Sequence, residues 1–269
     1  MEFRLYALLA LVLRRFYICC NFAFPKVRKQ NQLQDAVCES LVALPNFSLF
    51  SFSKLILAME YKQFVFNPIQ ENTYVVYDET GEAVIIDAGN FNERENAALA
   101  DFVSDKGLTV KAVLCTHCHW DHIFGLDWVA QQYQPQIYCH AADLAWIENF
   151  GHICESYGFG ERAVAYPTNF YSNGDTVRFG KSELKVLSTP GHSQGGVVLY
   201  SKADNLLFSG DTLFFNSIGR ADLPGGDEQQ LIESIKNQLL TLPDDTAVLP
   251  GHGLQTSIGF ERTNNPYLQ

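Results

Sequence analysis

Four side chains that can bind metal ions lie within six residues of one another: His117, His119, Asp121 and His122. Imidazole nitrogens and carboxylate oxygens are common metal ligands. In an extended chain the side chains of residues i and i+2 share a face, so His117 and His119 can bind one ion. Asp121 and His122 come later, where a loop or first helical turn can direct them toward a second ion. A solvated polar loop is the alternative, but so many ligand-type side chains at this spacing favour a metal site.

Three more candidate ligands follow predicted strands later in the chain: His192, Asp211 and His252. Each alone would be a weak indication, because a single His or Asp in a loop is usually only solvated. Active sites of α/β proteins form where several strands end together, so the three are expected to meet there. A glycine stands beside each of them and allows the backbone to bend closely.

These motifs resemble those of the metallo-β-lactamase superfamily, in its glyoxalase II-like (hydroxyacylglutathione hydrolase-like) branch. The H-x-H-x-D-H signature spans residues 117–122, and it is followed by GHSQGG (191–196), SGDT (209–212) and PGHG (250–253). The similarity extends from about Met59 to the end of the chain. It implies an α/β fold, the four-layer αββα sandwich of that superfamily.

The resemblance also implies two ion sites that share one carboxylate. The first site comprises His117, His119 and His192. The second comprises Asp121, His122 and His252, and Asp211 bridges the two. Two divalent metal ions are therefore the expected cofactors. This set of five imidazoles and two carboxylates suits Zn²⁺, which we expect, with Fe or Mn as alternatives.

The predicted function is a binuclear metal-dependent hydrolase of a thioester (hydroxyacyl-thiol) or related ester. A hydroxide that bridges the two ions would attack the carbonyl carbon, and the ions would stabilise the resulting oxyanion. Asp121, which can orient the nucleophile, and Asp211 are the predicted catalytic residues. A thiolate leaving group needs little protonation, which agrees with the lack of an obvious separate general acid.

Two other functions remain open. Sulfur dioxygenases resemble the same branch but use a single iron held by a subset of these ligands, whereas both ligand sets are complete here. A non-catalytic metal-binding module would be expected to have broken ligand motifs. True β-lactamases of the superfamily generally lack the bridging carboxylate, for which Asp211 stands here. Only seventeen residues follow His252, so the helical domain that holds glutathione in full-length glyoxalase II enzymes is not expected.

Alternating predicted strands and helices surround these motifs. The predicted helices are 93–106, 126–133, 141–150 and 227–240, and short apolar strands precede each ligand-bearing loop. Asp87 ends one such strand, the AVIID run. It is expected to support the N–H of a metal-bound histidine, with a turn-forming role as the alternative.

Composition narrows the class of protein. The 269 residues are 47% hydrophobic and 18% charged, which is typical of a globular chain. The net charge is -11, which argues against nucleic-acid and anionic-membrane partners. A small-molecule thioester or ester is the expected partner, and the oligomeric state stays open. Seven cysteines form no regular framework, so a disulfide-stapled secreted protein is not expected and a cytoplasmic location is predicted.

The first 58 residues differ from the rest. They contain no glycine and no histidine, and their seven Lys/Arg exceed their three Asp/Glu. Residues 1–58 are predicted to be a poorly ordered N-terminal extension, and residues 59–269 to be the hydrolase domain. A signal or membrane-surface helix at 5–13 is the alternative for the extension, although a cleavage-site pattern is missing.

Overall fold

Two six-stranded β-sheets form the centre of residues 59–269, the part of the chain that the computed structural model describes. The predicted extension, residues 1–58, lies outside the described residues. The first sheet contains, in spatial order, β1 (Glu60–Phe66), β2 (Glu71–Tyr77), β3 (Glu82–Ile86), β4 (Thr109–Leu114), β5 (Gln136–Cys139) and β6 (Asn169–Phe170). Strands β1 to β3 are antiparallel, whereas β3 to β6 are parallel.

The second sheet has the order β14-β13-β10-β9-β8-β7. Its strands are β7 (Thr176–Phe179), β8 (Ser182–Ser188), β9 (Val197–Ser201), β10 (Leu206–Gly210), β13 (Ala247–Pro250) and β14 (Thr256–Ser257). All neighbours are antiparallel except β10 and β13. A separate hairpin pairs β11 (Leu213–Phe214) with β12 (Ser217–Ile218).

Helices cover the outer face of each sheet. Those on the first sheet are α1 (Glu93–Asp105), α2 (Trp120–Ile123), α3 (Leu126–Tyr133), α4 (Leu144–Glu148) and α5 (Phe150–Ser156). Those on the second are α6 (Glu228–Ser234) and α7 (Ile258–Asn264). The predicted αββα sandwich is therefore confirmed.

The alternation of side chains along β3 shows how the layers are joined. Ala83 and Ile85 pack with the helices, while Val84 and Ile86 pack against the second sheet. Neighbouring residues of a strand point to opposite faces, and both faces are covered here, so the strand is apolar throughout. This explains why the short apolar runs in the sequence are strands rather than helices.

Two helix predictions need correction. The predicted helix 141–150 is a 3₁₀ turn (Ala141–Asp143) followed by α4, and α5 then begins at Phe150. His140 caps that turn, because its side chain accepts a hydrogen bond from the amide of Ala142. The segment therefore begins as a 3₁₀ turn and not as the first turn of an α-helix. In the predicted helix 227–240, α6 continues as a π-helical segment (Ile235–Leu239). Helix α7 and the short strands β6, β11, β12 and β14 were not predicted.

The carboxyl ends of the parallel strands form one edge of the sandwich. Strands β3 and β4 end there at Ile86 and Leu114, and β10 and β13 end there at Gly210 and Pro250. Asp87, the 117–122 segment, Asp211 and His252 follow these ends, as the sequence predicts, whereas His192 follows β8. None of the helices in residues 59–269 has the length and apolarity needed to cross a membrane.

Candidate metal centre

Three histidines from two different loops meet at this edge. Nδ1 of His119 lies 2.8 Å from Nε2 of His192, and that nitrogen lies 3.2 Å from Nε2 of His117. All three rings are buried. These are the three residues predicted for the first ion site, and their nitrogens converge on one point.

A second group forms beside them. Oδ2 of Asp121 lies 3.1 Å from Nε2 of His252 and 3.7 Å from Nε2 of His122. His252 comes from the loop after β13, so this group also joins elements of both sheets. Its members are the three residues predicted for the second site.

Asp211 lies between the two groups. Its Oδ2 is 3.6 Å from Nε2 of His192 and 3.7 Å from Nε2 of His252. Its Oδ1 is 3.4 Å from Nε2 of His122. The structure thus brings together all seven side chains that the sequence singled out, and Asp211 has the central position expected of a shared carboxylate. Their role as metal ligands remains a prediction.

Local structure explains the directions of these side chains. His117 and His119 follow β4 in an extended segment, and α2 begins at Trp120, so its first turn directs Asp121 and His122 toward the second group. Cys118, between the two histidines, points the other way into the apolar core under the helices. The loop after β13 passes so close that a Cβ at Gly251 would lie 2.7 Å from Cε1 of His122, and only glycine fits there.

Asp87 supports this arrangement from behind. Its Oδ2 lies 3.0 Å from Nδ1 of His122. Its two oxygens accept hydrogen bonds of 2.7 Å from the amide and the hydroxyl of Thr116. Asp87 also groups with His117 and His122 as three potential ligands. However, it faces Nδ1 of His122 whereas Asp121 and Asp211 face Nε2, so its position is that of the predicted histidine support.

The first group is electrostatically suited to a cation. Burial lowers the pKa of His117 well below its usual value, and the neighbouring histidines lower it further. Burial and His192 lower the pKa of His119 to about 3. Both rings are therefore neutral at physiological pH. Neutral imidazoles have lone pairs with which to bind a metal ion.

The second group carries buried negative charge. Burial alone would raise the pKa of Asp211, but His122, His192 and His252 outweigh it and lower that pKa. Burial alone would lower the pKa of His122, but the carboxylates of Asp211, Asp121 and Asp87 outweigh it and raise that pKa. The carboxylates thus favour a positive charge at this position. A divalent cation can supply that charge in place of the histidine proton.

Buried atoms without a hydrogen-bond partner also indicate a site for a cation. Among residues 59–269, Nε2 of His122 and Oδ1 of Asp211 are buried without a hydrogen-bond partner. Buried polar atoms normally have a partner, and leaving one unpaired is costly. Two such atoms that face each other at 3.4 Å fit a cation as their common partner. The residues present therefore fit the two ions that the motifs imply.

Sequence reasoning missed three buried polar residues near the centre: Glu71, Asn72 and Asp143. Glu71 is fully buried, and its Oε1 lies 3.9 Å from Nδ1 of His122. Burial raises the pKa of Glu71 well above its usual value. For Glu71 and Asn72 a sequence signal existed, because polar residues begin strand β2, which is otherwise apolar. Nothing in that signal identifies their distant partners.

The second group is the more exposed part of the centre. The side chain of His252 is 22% exposed and those of Asp121 and Asp211 are 11% exposed, whereas His122 is fully buried. A substrate can therefore approach through the second group. In the first group the ring of Trp146 packs edge-on against His119, with 4.4 Å between ring centres.

Arg220 lies beside the first group, and its side chain forms an exposed ion pair. Its guanidinium donates two hydrogen bonds of 2.7 Å to the carboxylate of Asp222. Its backbone carbonyl lies 2.6 Å from Nδ1 of His192. Arg220 thus contributes to the centre through its main chain, which orients a first-group histidine.

Comparison with known proteins agrees with this geometry. The family model described as the metallo-β-lactamase superfamily matches residues 66–252, a span that includes all seven side chains. The probable metallo-hydrolase YqgX of Bacillus subtilis is 36% identical over 211 residues, which cover 78% of this chain and 98% of YqgX. The hydroxyacylglutathione hydrolase GloC of Haemophilus influenzae is 31% identical over 201 residues, which cover 74% of this chain and 93% of GloC.

Two crystal structures are similar in both sequence and fold. The B3 metallo-β-lactamase BLEG-1 is 38% identical with a TM-score of 0.72, and the match covers 78% of this chain and 100% of BLEG-1. TTHA1623, in a di-iron-bound form, is 36% identical with a TM-score of 0.68 and covers 77% of this chain and 100% of its own.

Proposed function

The chain belongs to the metallo-β-lactamase superfamily, and from that membership and the geometry of the centre we propose that it is a binuclear metal-dependent hydrolase of thioesters or related esters. The observation that carries this proposal is the position of Asp211. Its two oxygens face His192, His252 and His122, so one carboxylate can bind two ions at once.

The chain's own residues define how a substrate would bind and react. Because Asp121, Asp211 and His252 are partly exposed, the reacting carbonyl would bind over the second group. When bound, two such ions supply an activated water at neutral pH and polarise the carbonyl oxygen of the substrate. Asp121 is ionised, since His122 and His252 outweigh the effect of burial and lower its pKa. Its carboxylate can therefore accept a hydrogen bond from the attacking water and orient it.

The similarity to GloC supports a hydroxyacyl thioester as the substrate class. GloC is a hydroxyacylglutathione hydrolase, and the match covers 93% of its length. A thiolate is a good leaving group and needs little help from a general acid. The pairing of Arg220 with Asp222 leaves that guanidinium engaged, so we do not assign it to the carboxylates of a glutathione moiety.

A second candidate is β-lactam hydrolysis. The carboxylate of Asp211 at the expected bridging position disfavours it, because true β-lactamases of the superfamily generally lack this group. The similarity to BLEG-1, a B3 metallo-β-lactamase, at 38% identity over its whole length favours it. Both reactions are hydrolytic attacks on a carbonyl, and the fold alone does not distinguish their substrates.

Metal counting followed by a substrate panel tests the proposal. The ions in the purified chain are counted first, without added metal. The panel then contains a hydroxyacyl-glutathione thioester, an alkyl thioester, a lactone, a β-lactam and a persulfide. We expect two ions per chain and anaerobic thioester hydrolysis that Asp211→Asn abolishes. Glu183→Gln, in an exposed ion pair with Arg178, is the matched control and should retain full activity.

The other outcomes separate the alternatives. One iron per chain together with oxygen uptake on the persulfide would support the dioxygenase and contradict the hydrolase. Turnover of the β-lactam alone would support the second candidate. Two tightly held ions without turnover of any substrate would indicate a non-catalytic metal-binding module. The predicted Zn²⁺ and the cytoplasmic location also remain part of the proposal, and the same metal count identifies the ion.

A further inference from the structure

Two buried side chains outside the ligand set hold the two halves of the centre separately. We propose that Asp143 positions the loops of the first ligand group and that Asn72 positions the His252 loop of the second group. Each would then set the affinity for one ion with little effect on the other. This inference rests on the proposed two-ion centre, and it assigns both side chains as positioning residues rather than ligands.

Asp143 joins the two loops that carry the first group. It ends the 3₁₀ turn after β5 and is 1% exposed. Its Oδ2 accepts hydrogen bonds of 3.0 Å from the amide of Cys118 and from the hydroxyl of Ser193. Its Oδ1 accepts a hydrogen bond of 2.7 Å from the amide of Gly195. Cys118 lies between His117 and His119, and Ser193 follows His192, so one carboxylate fixes the backbone beside all three ligands.

The packing around Asp143 is specific. A Cβ at Gly195 would lie 2.7 Å from Oδ1 of Asp143, so the glycine permits the close approach of the loop. Hydrogen bonds to an ionised acceptor are about twice as strong as those between neutral groups. A neutral amide at position 143 would have to turn an NH₂ group toward at least one of the donors. We call these three hydrogen bonds of Asp143 a clamp on the first-group loops. The clamp depends on a carboxylate and not only on the shape of the side chain.

Asn72 holds the His252 loop by a different route. It lies on β2 of the first sheet and is 2% exposed. Its Nδ2 donates hydrogen bonds to the carbonyls of Pro250 (2.9 Å) and Gly253 (3.1 Å), which flank His252. Its backbone amide donates a bond of 2.7 Å to the carbonyl of Gly251. The loop belongs to the second sheet, so Asn72 fixes it across the sandwich.

The orientation of Asn72 is itself fixed. Its Oδ1 accepts a hydrogen bond of 2.7 Å from Nε2 of Gln63 on β1. The hydroxyl of Tyr74 donates a second bond, also of 2.7 Å, to the carbonyl of Pro250. In the described part of the chain, neither Asn72 nor Asp143 forms a hydrogen bond with the loop that the other holds. The clamp of Asp143 on the first-group loops and the clamp of Asn72 on the His252 loop are therefore separate.

The size of the effect follows from the behaviour of groups that orient metal ligands. Losing such a partner typically lowers metal affinity by roughly 10- to 100-fold. We expect Asp143→Asn to weaken the ion that depends on His119 by that factor. We expect Asn72→Asp, which replaces the two N–H donations by a carboxylate, to weaken the ion that depends on His252. The other ion should shift by less than about threefold in each variant.

Chelator competition on the zinc-loaded full chain tests this. The ions retained per chain are counted over a range of chelator concentrations. The variants His119→Ala and His252→Ala identify which release step belongs to which ligand group. Circular dichroism checks that each variant is folded, and Glu183→Gln is the control that should release both ions as the parent chain does.

Milder substitutions keep the test decisive if either main variant fails to fold. Ser193→Ala removes one of the three bonds of Asp143, and Gln63→Ala removes the bond that orients Asn72. Ser193→Ala should shift the same release step as Asp143→Asn, and Gln63→Ala the same step as Asn72→Asp. The shift should be smaller in each case. Equal weakening of both ions, or no shift in either, would overturn the two-clamp inference. A parent chain that holds fewer than two ions would instead refute the proposed two-ion centre.

Discussion

Nε2 of His122 and Oδ1 of Asp211 face each other at 3.4 Å, both buried and both without a hydrogen-bond partner among the described residues. On its other side, Nδ1 of the same ring lies 3.0 Å from Asp87. One nitrogen of His122 is thus turned to a supporting carboxylate and the other to the shared one. A histidine ligand needs this orientation, because the supporting carboxylate accepts a hydrogen bond from one ring N–H and leaves the lone pair of the other nitrogen free to bind metal.

The first prediction concerns the shared carboxylate. Asp211→Asn keeps the volume of the side chain but removes its charge, so it weakens the contacts that the carboxylate can make with both ions. We expect hydrolytic turnover to fall by more than about 100-fold, beyond the 10- to 100-fold loss usual for indirect metal partners. Steady-state kinetics and metal counting measure the two effects. Near-normal turnover with two ions bound would refute the bridging role.

The second prediction concerns the support behind His122. Asp87→Asn should lower the affinity for the second-group ion by roughly 10- to 100-fold, because a neutral amide orients the imidazole less strongly than a carboxylate. Asparagine is the appropriate substitution, since Asp87 has a φ of 52° and asparagine tolerates this left-handed conformation. Retained zinc under chelator competition reports the change. If retention is unaltered, Asp87 acts only in the turn.

The convergence of the seven candidate side chains was predictable because its signal is local. Four of the seven side chains occupy positions 117–122, and the others follow apolar strands beside glycines, so residue type and spacing indicate the site without knowledge of the fold. The carboxyl ends of parallel strands then bring these loops to one edge. Asp87 was found in the same way, as a polar residue directly after an apolar strand.

The positioning residues were not predictable for the opposite reason. Asn72 bonds to residues about 180 positions away along the chain, and no local pattern encodes such a partner. The sequence pattern predicts a regular helix over 141–150 that includes Asp143, whereas Asp143 ends a 3₁₀ turn and directs its carboxylate inward. The π-helical continuation of α6 was missed because its apolar residues, Ile235 and Leu239, fit the same stripe as an α-helix.

The third prediction is a pH dependence far from the centre. Asp78 accepts hydrogen bonds from Thr80, Lys181 and Ser182, and so joins a turn of the first sheet to a turn of the second. Burial alone would raise the pKa of Asp78, but these hydrogen bonds outweigh it and lower the pKa below its usual value. Its charge therefore stabilises the fold above the unfolded pKa, and this contribution is lost as the pH falls through the folded pKa.

Asp78→Asn should thus lower the free energy of unfolding at pH 7 by about 1.5–3 kcal/mol, the range for hydrogen bonds to a charged group. The difference from the parent chain should shrink as the pH falls below about 4, where the carboxyl group is protonated in the unfolded chain. Urea denaturation of both chains in chelator, at several pH values, measures it. A difference that stays constant with pH would show that the charge of Asp78 contributes nothing.

The fourth prediction concerns metal removal. Ions that bind only the folded chain stabilise it, and at a free concentration 1,000 times the Kd one ion contributes about 4 kcal/mol. For a domain of this size each kcal/mol shifts the Tm by roughly 2–4 °C. Removing one such ion should therefore lower the Tm by about 8–16 °C, and removing both should lower it further, because the buried carboxylates of Asp121 and Asp211 lose their counter-charge.

Differential scanning calorimetry with and without chelator measures the shift. Added Zn²⁺ should restore the original Tm in the parent chain, and Asp211→Asn should show a smaller shift than the parent. An unchanged Tm after counting has shown that the ions are gone would mean that the seven side chains hold their positions without a cation.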